Sequence, residues 1–184
     1  MFYELEVAGL KRKLQLYPVS DQLSIAAFII FGDVELTKAC ASKLLDKAPE
    51  FDIMLTAEAK AIPLVYEMSA LAGVNDYVVA RKGTKVYMTD PISVGVDSIT
   101  TANSQHLYLG QEDVAKLHGR RVLIVDDVIS TGESLASLEE LANRSGATIV
   151  GKMAILAEGD AINRPDITVL GKLPLFDSDG SVKA

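Results

Sequence analysis

Arg121-Val122-Leu123-Ile124-Val125-Asp126-Asp127-Val128-Ile129-Ser130-Thr131-Gly132-Glu133-Ser134 is the stretch whose reading decides the fold. The apolar run Val122 to Val125 suits a strand covered on both faces, as in a parallel sheet. Two adjacent carboxylates follow, then a short polar loop holding a glycine. Leu135, Leu138, Leu141 and Ala142 next recur at the spacing of an amphipathic helix that Gly146 ends. Ligands of parallel sheets sit beyond the carboxyl ends of the strands, where Asp126 and Asp127 emerge. Neighbouring side chains on a strand point to opposite sides, and two acids cannot both enter a core uncharged and unpaired. At least one must face solvent, a cation or the hydroxyls of a ligand. Ser130, Thr131, Gly132 and Ser134 offer hydroxyls and backbone N–H groups at a helix N-terminus, where the unpaired amides and the dipole favour a phosphate. A plainer alternative stays open, in which the acids cap the helix and the loop is only a turn. The stretch is neither a Walker loop nor G-x-G-x-x-G.

Outward from this stretch, strands alternate with helices, which predicts an α/β fold with a mostly parallel central sheet. Asp33 is placed to cap a helix carrying Leu36, Ala39, Cys40 and Leu44. Asp52 to Leu55 reads as a buried strand, followed by a helix with Ile62, Val65, Tyr66 and Ser69 on one face, Pro63 in its first turn and Gly73 at its end. Tyr77 to Ala80 is the next strand. The extended residues 86–101 and the alternating Gln105 to Leu109 predict a two-stranded excursion, with a short helix at Gln111 to Leu117 before the central strand. Thr148 to Leu156 and Ile167 to Leu170 are the last strands. In the first thirty residues apolar and basic positions mix, and Pro18 breaks any long helix.

The chain has 184 residues, 49% hydrophobic and 23% charged, enough for one domain, 1–184, with a sizeable core. A formal net charge of −7 argues against a nucleic-acid binder, which needs a basic face. No run reaches the roughly 20 apolar residues of a membrane span, and the N-terminus lacks the basic flank and apolar core of a signal peptide. A single cysteine, Cys40, in an apolar helical pattern fits the core of a protein in a reducing, cytoplasmic setting. His106 and His118 have no triad or ligand set beside them and read as structural or solvent-facing.

Positive charge gathers at two other predicted strand ends. Thr56-Ala57-Glu58-Ala59-Lys60-Ala61 is a small-residue junction before a helix, open to a plain capping reading as well as to anion binding. Arg81, Lys82 and Lys85 follow the next strand, as a solvated face or as anion ligands.

The run Val122 to Ser134 resembles the signature of the type I phosphoribosyltransferases. The resemblance implies that fold, with a small hood built from about residues 1–34 and the C-terminal tail, and a lid over about 83–109. It implies that Asp126 and Asp127 contact the ribose hydroxyls of phosphoribosyl pyrophosphate and that Ser130, Thr131, Gly132, Glu133 and Ser134 hold its 5-phosphate. Glu133 stands where many members have a small residue. Glu58-Ala59-Lys60-Ala61 is similar to the Glu-x-Arg-Gly loop of adenine phosphoribosyltransferases, with lysine losing the bidentate fork of arginine. Arg81, Lys82 and Lys85 resemble an Arg-Lys-x-x-Lys segment that meets pyrophosphate in those enzymes. Phe28-Ile29-Ile30-Phe31-Gly32-Asp33 resembles their hood segment Gly-Ile-Leu-Phe-Arg-Asp, which makes Phe31 the ring that stacks on the base, with a simple core role as the alternative. The resemblance thus implies a purine phosphoribosyltransferase of salvage, adenine first, working with Mg²⁺ carried by the substrate rather than by a direct protein ligand, and a homodimer. A xanthine/guanine-type enzyme, or a regulator that senses phosphoribosyl pyrophosphate without catalysis, is the other reading.

Overall fold

The computed structural model describes residues 1–96 and 105–183. Its centre is a five-stranded sheet in which every neighbouring pair is parallel. In chain order the strands are β4 (Ile53–Ala57), β5 (Tyr77–Ala80), β8 (Arg121–Ile129), β9 (Thr148–Glu158) and β10 (Thr168–Leu173). They lie in the order β10-β9-β8-β4-β5. The signature strand β8 is therefore central, and β4 and β9, its two neighbours, bring their carboxyl ends alongside it. β8 is longer than the apolar run alone predicts, because it continues through both acids to Ile129.

Helix α1 (Val34–Leu45) starts where Asp33 accepts a hydrogen bond from the Leu36 N–H, as its capping position predicts. Helix α2 (Ile62–Ala72) has Pro63 in its first turn and ends on Gly73 at φ +69°. The face of α2 differs from the expected one: Leu64, Val65, Met68 and Ser69 are buried, while Tyr66 is exposed. Almost every position of this helix is apolar, so spacing alone does not select a face. α1 and α2 join β8, β9 and β10 in one core. On the opposite face a second core contains Leu135, Leu138 and Leu141 of α4 (Glu133–Arg144) and Leu117 of α3 (Gln111–Leu117). Val94 and Leu107 enter it from the antiparallel pair β6 (Ile92–Val96) and β7 (Gln105–Leu109). That pair is the predicted excursion; residues 97–104 of the expected lid lie outside the described residues.

The first twenty-six residues form what the sequence left unassigned, an antiparallel sheet of β1 (Phe2–Val7), β2 (Leu10–Ser20) and β3 (Leu23–Ala26). Ala8 and Gly9, at φ +52° and +79°, make the two-residue turn whose twist matches a hairpin. The sheet is pinned to the C-terminal segment. Ser24 and Phe176 exchange backbone hydrogen bonds of 2.8 and 3.0 Å, and the buried Phe176 ring meets Tyr3 edge-on at 5.1 Å. Arg12 then ties β2 to the start of α1 through Asp33, at 2.6 and 3.0 Å. Among the described residues no helix is long and apolar enough to cross a membrane.

Phe176→Ala leaves a cavity where the tail meets the hood. The expected cost is about 3 kcal/mol, read as a lower urea midpoint with an unchanged slope; a midpoint equal to that of the native chain would show that Phe176 does not fasten the two segments.

Candidate active site at the strand ends

The acids of β8 reach one cleft because the strand changes its facing across them. Leu123, Val125 and Val128 pack with the α1/α2 core, whereas Val122, Ile124 and Ile129 pack with the α4 core. Strict alternation would put Val128 with Ile124. The switch falls on Asp126 and Asp127, and both line a cleft with Ala59, Lys60, Lys82 and Ser134. The alternation expected from sequence, with the acids on opposite faces, fails at this one step.

Asp127 is only 2% exposed, and its Oδ2 lies 2.8 Å from Lys60 Nζ. The contact is an ion pair by distance, although its alignment falls short of a hydrogen bond. The Asp127 N–H in turn donates to Asp126 Oδ1 at 2.8 Å. Burial, and after it the neighbouring Asp127 charge, push the Asp126 carboxyl well above its ordinary range.

Lys60 belongs to the loop between β4 and α2, where Glu58 works as a brace. Its Oε2 accepts from the Lys82 N–H at 3.0 Å, its Oε1 pairs with Arg81 Nε at 3.2 Å, and its own N–H donates to the Ala80 carbonyl at 2.8 Å. The backbone bond to Lys82, followed by the Arg81 contact, holds the Glu58 carboxyl below its usual range. Ala59 is exposed on the same loop and lines the cleft. Of the three cations after β5, Lys82 lines the cleft. Arg81 is turned instead toward Glu58 and toward Tyr87, whose hydroxyl accepts from Nη1 at 2.9 Å. Lys85 is half-buried and does not line it. The structure thus gathers Lys60 and Lys82 and sets Arg81 and Lys85 behind them.

The loop Ser130 to Ser134 leads into α4 with Gly132 at the cap, at φ +85° and with no side chain capping the helix. The backbone angle favours glycine at this position, and a Cβ there would also displace the tip of the Arg164 side chain, whose Nη1 lies 2.6 Å from where it would stand. Thr131 and Ser134 are exposed, and Glu133 begins the helix half-buried. The Glu133 N–H reaches Thr131 Oγ1 at a long 3.5 Å, and no cap side chain covers the amides after it, so they can meet an anion.

A second cleft of about 250 Å³ adjoins the first and shares Lys60 and Val128 with it. Its walls are Ala27, Phe28 and Ile29 of the hood and Leu173 of β10, and its floor carries Glu158 at the end of β9. Phe31 is not on this cleft: it is 50% exposed, beyond the tight turn in which the Asp33 N–H donates to the Ile30 carbonyl. Phe28 and Ile29 take the wall position expected of Phe31. Sequence reading passed over Glu158, although it ends an apolar strand as Asp126 does.

Elsewhere the expected structural roles hold. Cys40 is buried, which pushes its thiol up to about 12. His118 Nδ1 lies 3.1 Å from the Ser145 carbonyl, away from both clefts.

Raising a buried carboxyl's pKa couples stability to pH. The protonated form of Asp126 is favoured in the folded protein, so its contribution is fully present below the unfolded value near 4 and is lost as pH rises through the raised folded value. Asp126→Asn should therefore melt higher than the native chain at pH 8, by on the order of 3 °C per kcal/mol relieved, with the gap closing toward pH 4. Thermal unfolding at both pH values checks this, and a variant that melts lower at pH 8 would show that the charge is not costly.

Residues 35–174 match the phosphoribosyl transferase domain. The chain is 30% identical over 148 residues to a hypoxanthine/guanine phosphoribosyltransferase of Methanococcus maripaludis, covering 80% of this chain and 73% of that protein. In fold it is similar to adenine phosphoribosyltransferase of Thermoanaerobacter pseudethanolicus, with a TM-score of 0.71 at 19% identity over 86% of this chain and 95% of that one. It is also similar to the Saccharomyces cerevisiae adenine phosphoribosyltransferase, solved with adenine, with a TM-score of 0.67 at 22% identity over 86% and 92%. With an acid pair, an open helix N-terminus and two lysines converging on the strand ends that this domain is built around, the chain belongs to the type I phosphoribosyltransferase family.

Proposed function

We propose that the protein transfers the 5-phosphoribosyl group of phosphoribosyl pyrophosphate to a purine base, giving a nucleoside monophosphate and pyrophosphate, as an enzyme of purine salvage. The observation that carries this reading is the single cleft in which Asp126, Asp127, Ser134, Lys60 and Lys82 meet. The purine substrates named for the similar proteins support the base class.

The ribose diol lies against Asp126 and Asp127, whose carboxylates accept from its hydroxyls. The 5-phosphate sits on the free amides of α4 and the hydroxyls of Ser130, Thr131 and Ser134. Pyrophosphate meets Lys60 and Lys82, with Arg81 and Lys85 completing the positive field from behind. A ring nitrogen of the base attacks C1 of the ribose as the bond from C1 to the pyrophosphate oxygen breaks, and negative charge grows on that oxygen. The lysines lower the barrier because they are held in place before the charge develops. Oxygen donors at Asp126 and Asp127 do fit Mg²⁺ brought in by the substrate's own oxygens, where it would neutralise leaving-group charge. The adjoining cleft takes the base.

Replacing both acids, as Asp126→Asn with Asp127→Asn, should lower turnover at least about a hundredfold while circular dichroism stays native; unchanged turnover would refute the ribose assignment. Lys82→Ala should raise the KM for phosphoribosyl pyrophosphate roughly tenfold and leave the KM for the base alone. Native protein that binds phosphoribosyl pyrophosphate in calorimetry, yet releases no pyrophosphate with any base, would instead be a sensing regulator. A homodimer belongs to this proposal, since two-fold dimers are the commonest closed assembly, and sedimentation velocity reads it directly. A cytoplasmic setting belongs to the same proposal.

A further inference from the structure

The loop that receives the 5-phosphate in the transferase reading offers donors but no positive charge. Ser130, Thr131, Gly132 and Ser134 are neutral, and Glu133 adds a carboxylate at the first position of α4. A phosphate monoester carries close to two negative charges near neutral pH. Lys60 and Lys82 are committed to the pyrophosphate, so the charge of the 5-phosphate has to be met from elsewhere in the chain.

Arg164 stands against this loop. It follows the short 3-10 turn Gly159–Asn163 beyond β9, and the missing side chain of Gly132 leaves the notch in which its Nη1 rests. Nε and Nη2 are both engaged, donating to Asp166 Oδ1 and Oδ2 at 3.0 and 2.7 Å. Nη1 is the remaining nitrogen of the same plane, and among the described residues it has no hydrogen-bond acceptor. The grip on the other two is itself anchored. Asp166 Oδ2 also accepts from Lys152 Nζ at 2.6 Å, and Lys152 donates to both carboxylate oxygens of Glu139, on α4, at 3.2 Å. The guanidinium is thereby fastened to the helix whose first turn it flanks. Arg164, and after it Lys152, hold the Asp166 carboxyl well below its usual range, so the grip persists at every working pH. A guanidinium held at two nitrogens presents its third in one fixed direction, which a lysine on its flexible stem does not. An Arg–Asp pair that only ties the turn to the start of β10 does not account for that third nitrogen at Gly132.

Resting on the transferase reading, we infer that Arg164 binds the 5-phosphate directly: its Nη1 donates to a phosphate oxygen seated over the first amides of α4, and Asp166 sets the direction of that donor. A phosphate on the amides of Ser134 and Leu135 lies within one helical turn, about 5 Å, of Gly132, within reach of a guanidinium resting there. The charge-assisted bond offsets the repulsion between the phosphate and Glu133. A ligand without a 5-phosphate gains nothing from it, so Arg164 biases the site toward phosphorylated ribose.

The test is calorimetric titration of ribose 5-phosphate and, separately, of pyrophosphate, both with Mg²⁺, into the native protein and its variants. Arg164→Gln should weaken ribose 5-phosphate about tenfold, the worth of one hydrogen bond to a charged group, and leave pyrophosphate within about twofold. In turnover the same variant should raise the KM for phosphoribosyl pyrophosphate about tenfold with little change in kcat. Asp166→Asn breaks the same ion pair but keeps the guanidinium, and should weaken ribose 5-phosphate by only about threefold. Unchanged affinity for ribose 5-phosphate in Arg164→Gln, a loss shared equally by pyrophosphate, or an equal loss in Asp166→Asn overturns the assignment of Arg164 and leaves the transferase reading standing. Native protein that binds neither ligand overturns both. Arg164→Lys keeps the charge without the fork and should recover part of the lost affinity; no recovery would show that positive charge at this place is not what the ligand meets.

Discussion

Asp127 is a carboxylate removed almost wholly from water, and the ammonium of Lys60 at 2.8 Å is what makes it tolerable. A buried acid without a cation is among the most costly features a fold can carry. Meeting that need draws the loop after β4 over the tip of β8, and the sheet order permits it because β4 and β8 are neighbours. Lys60 then stands where two clefts join, one lined by acids and lysines and the other by hydrocarbon and Glu158. A substrate with a sugar, a pyrophosphate and an approaching flat base needs this layout, with the reacting carbon close to the junction.

The same contact has a second consequence. On the proposed reading, a ligand diol arriving at the acid pair competes with Lys60 for Asp127 and frees the ammonium for the leaving group. Glu58 keeps such a rearrangement local. The Lys82 amide donating to its carboxylate, and the ion pair with Arg81, fix the loops after β4 and β5 to each other, so a shift in the Lys60 side chain need not move the backbone. Glu58 thus positions cations while itself lining the cleft.

Much of this was legible in the sequence, for physical reasons that can be named. β8, β4 and β5 read correctly because continuous apolar runs ending in polar junctions admit few other structures, and α1 and α4 because capping residues and spacing agreed. The junction from Ser130 to Ser134 was legible because serine, threonine and glycine after a strand mark a turn into a helix start. The N-terminal hairpin was not, since its turn is Ala8-Gly9 rather than a strong turn pair, and its alternation is diluted by lysine and arginine. The facing switch between Val125 and Val128 falls where the β8–β9 register is regular, and the apolar pattern of β8 does not encode it. Phe28 and Ile29 line the second cleft while Phe31 is exposed, an arrangement that the segment's resemblance alone does not encode. Glu158 lies 24 residues beyond Ser134, where the signature ends, and the pairing of β8 with β9 brings it back toward Ser130.

The central claim is spatial: one substrate spans the acid pair, the start of α4 and the lysines. A crystal structure of the protein with phosphoribosyl pyrophosphate and Mg²⁺ tests it most directly. The account predicts the 5-phosphate on the amides of Ser134 and Leu135, the diol on Asp126 and Asp127, pyrophosphate at Lys60 and Lys82, and C1 of the ribose facing the slot that holds Glu158. Phosphate density away from the α4 N-terminus, or a Lys60–Asp127 pair closed beneath a sugar bound elsewhere, would contradict it.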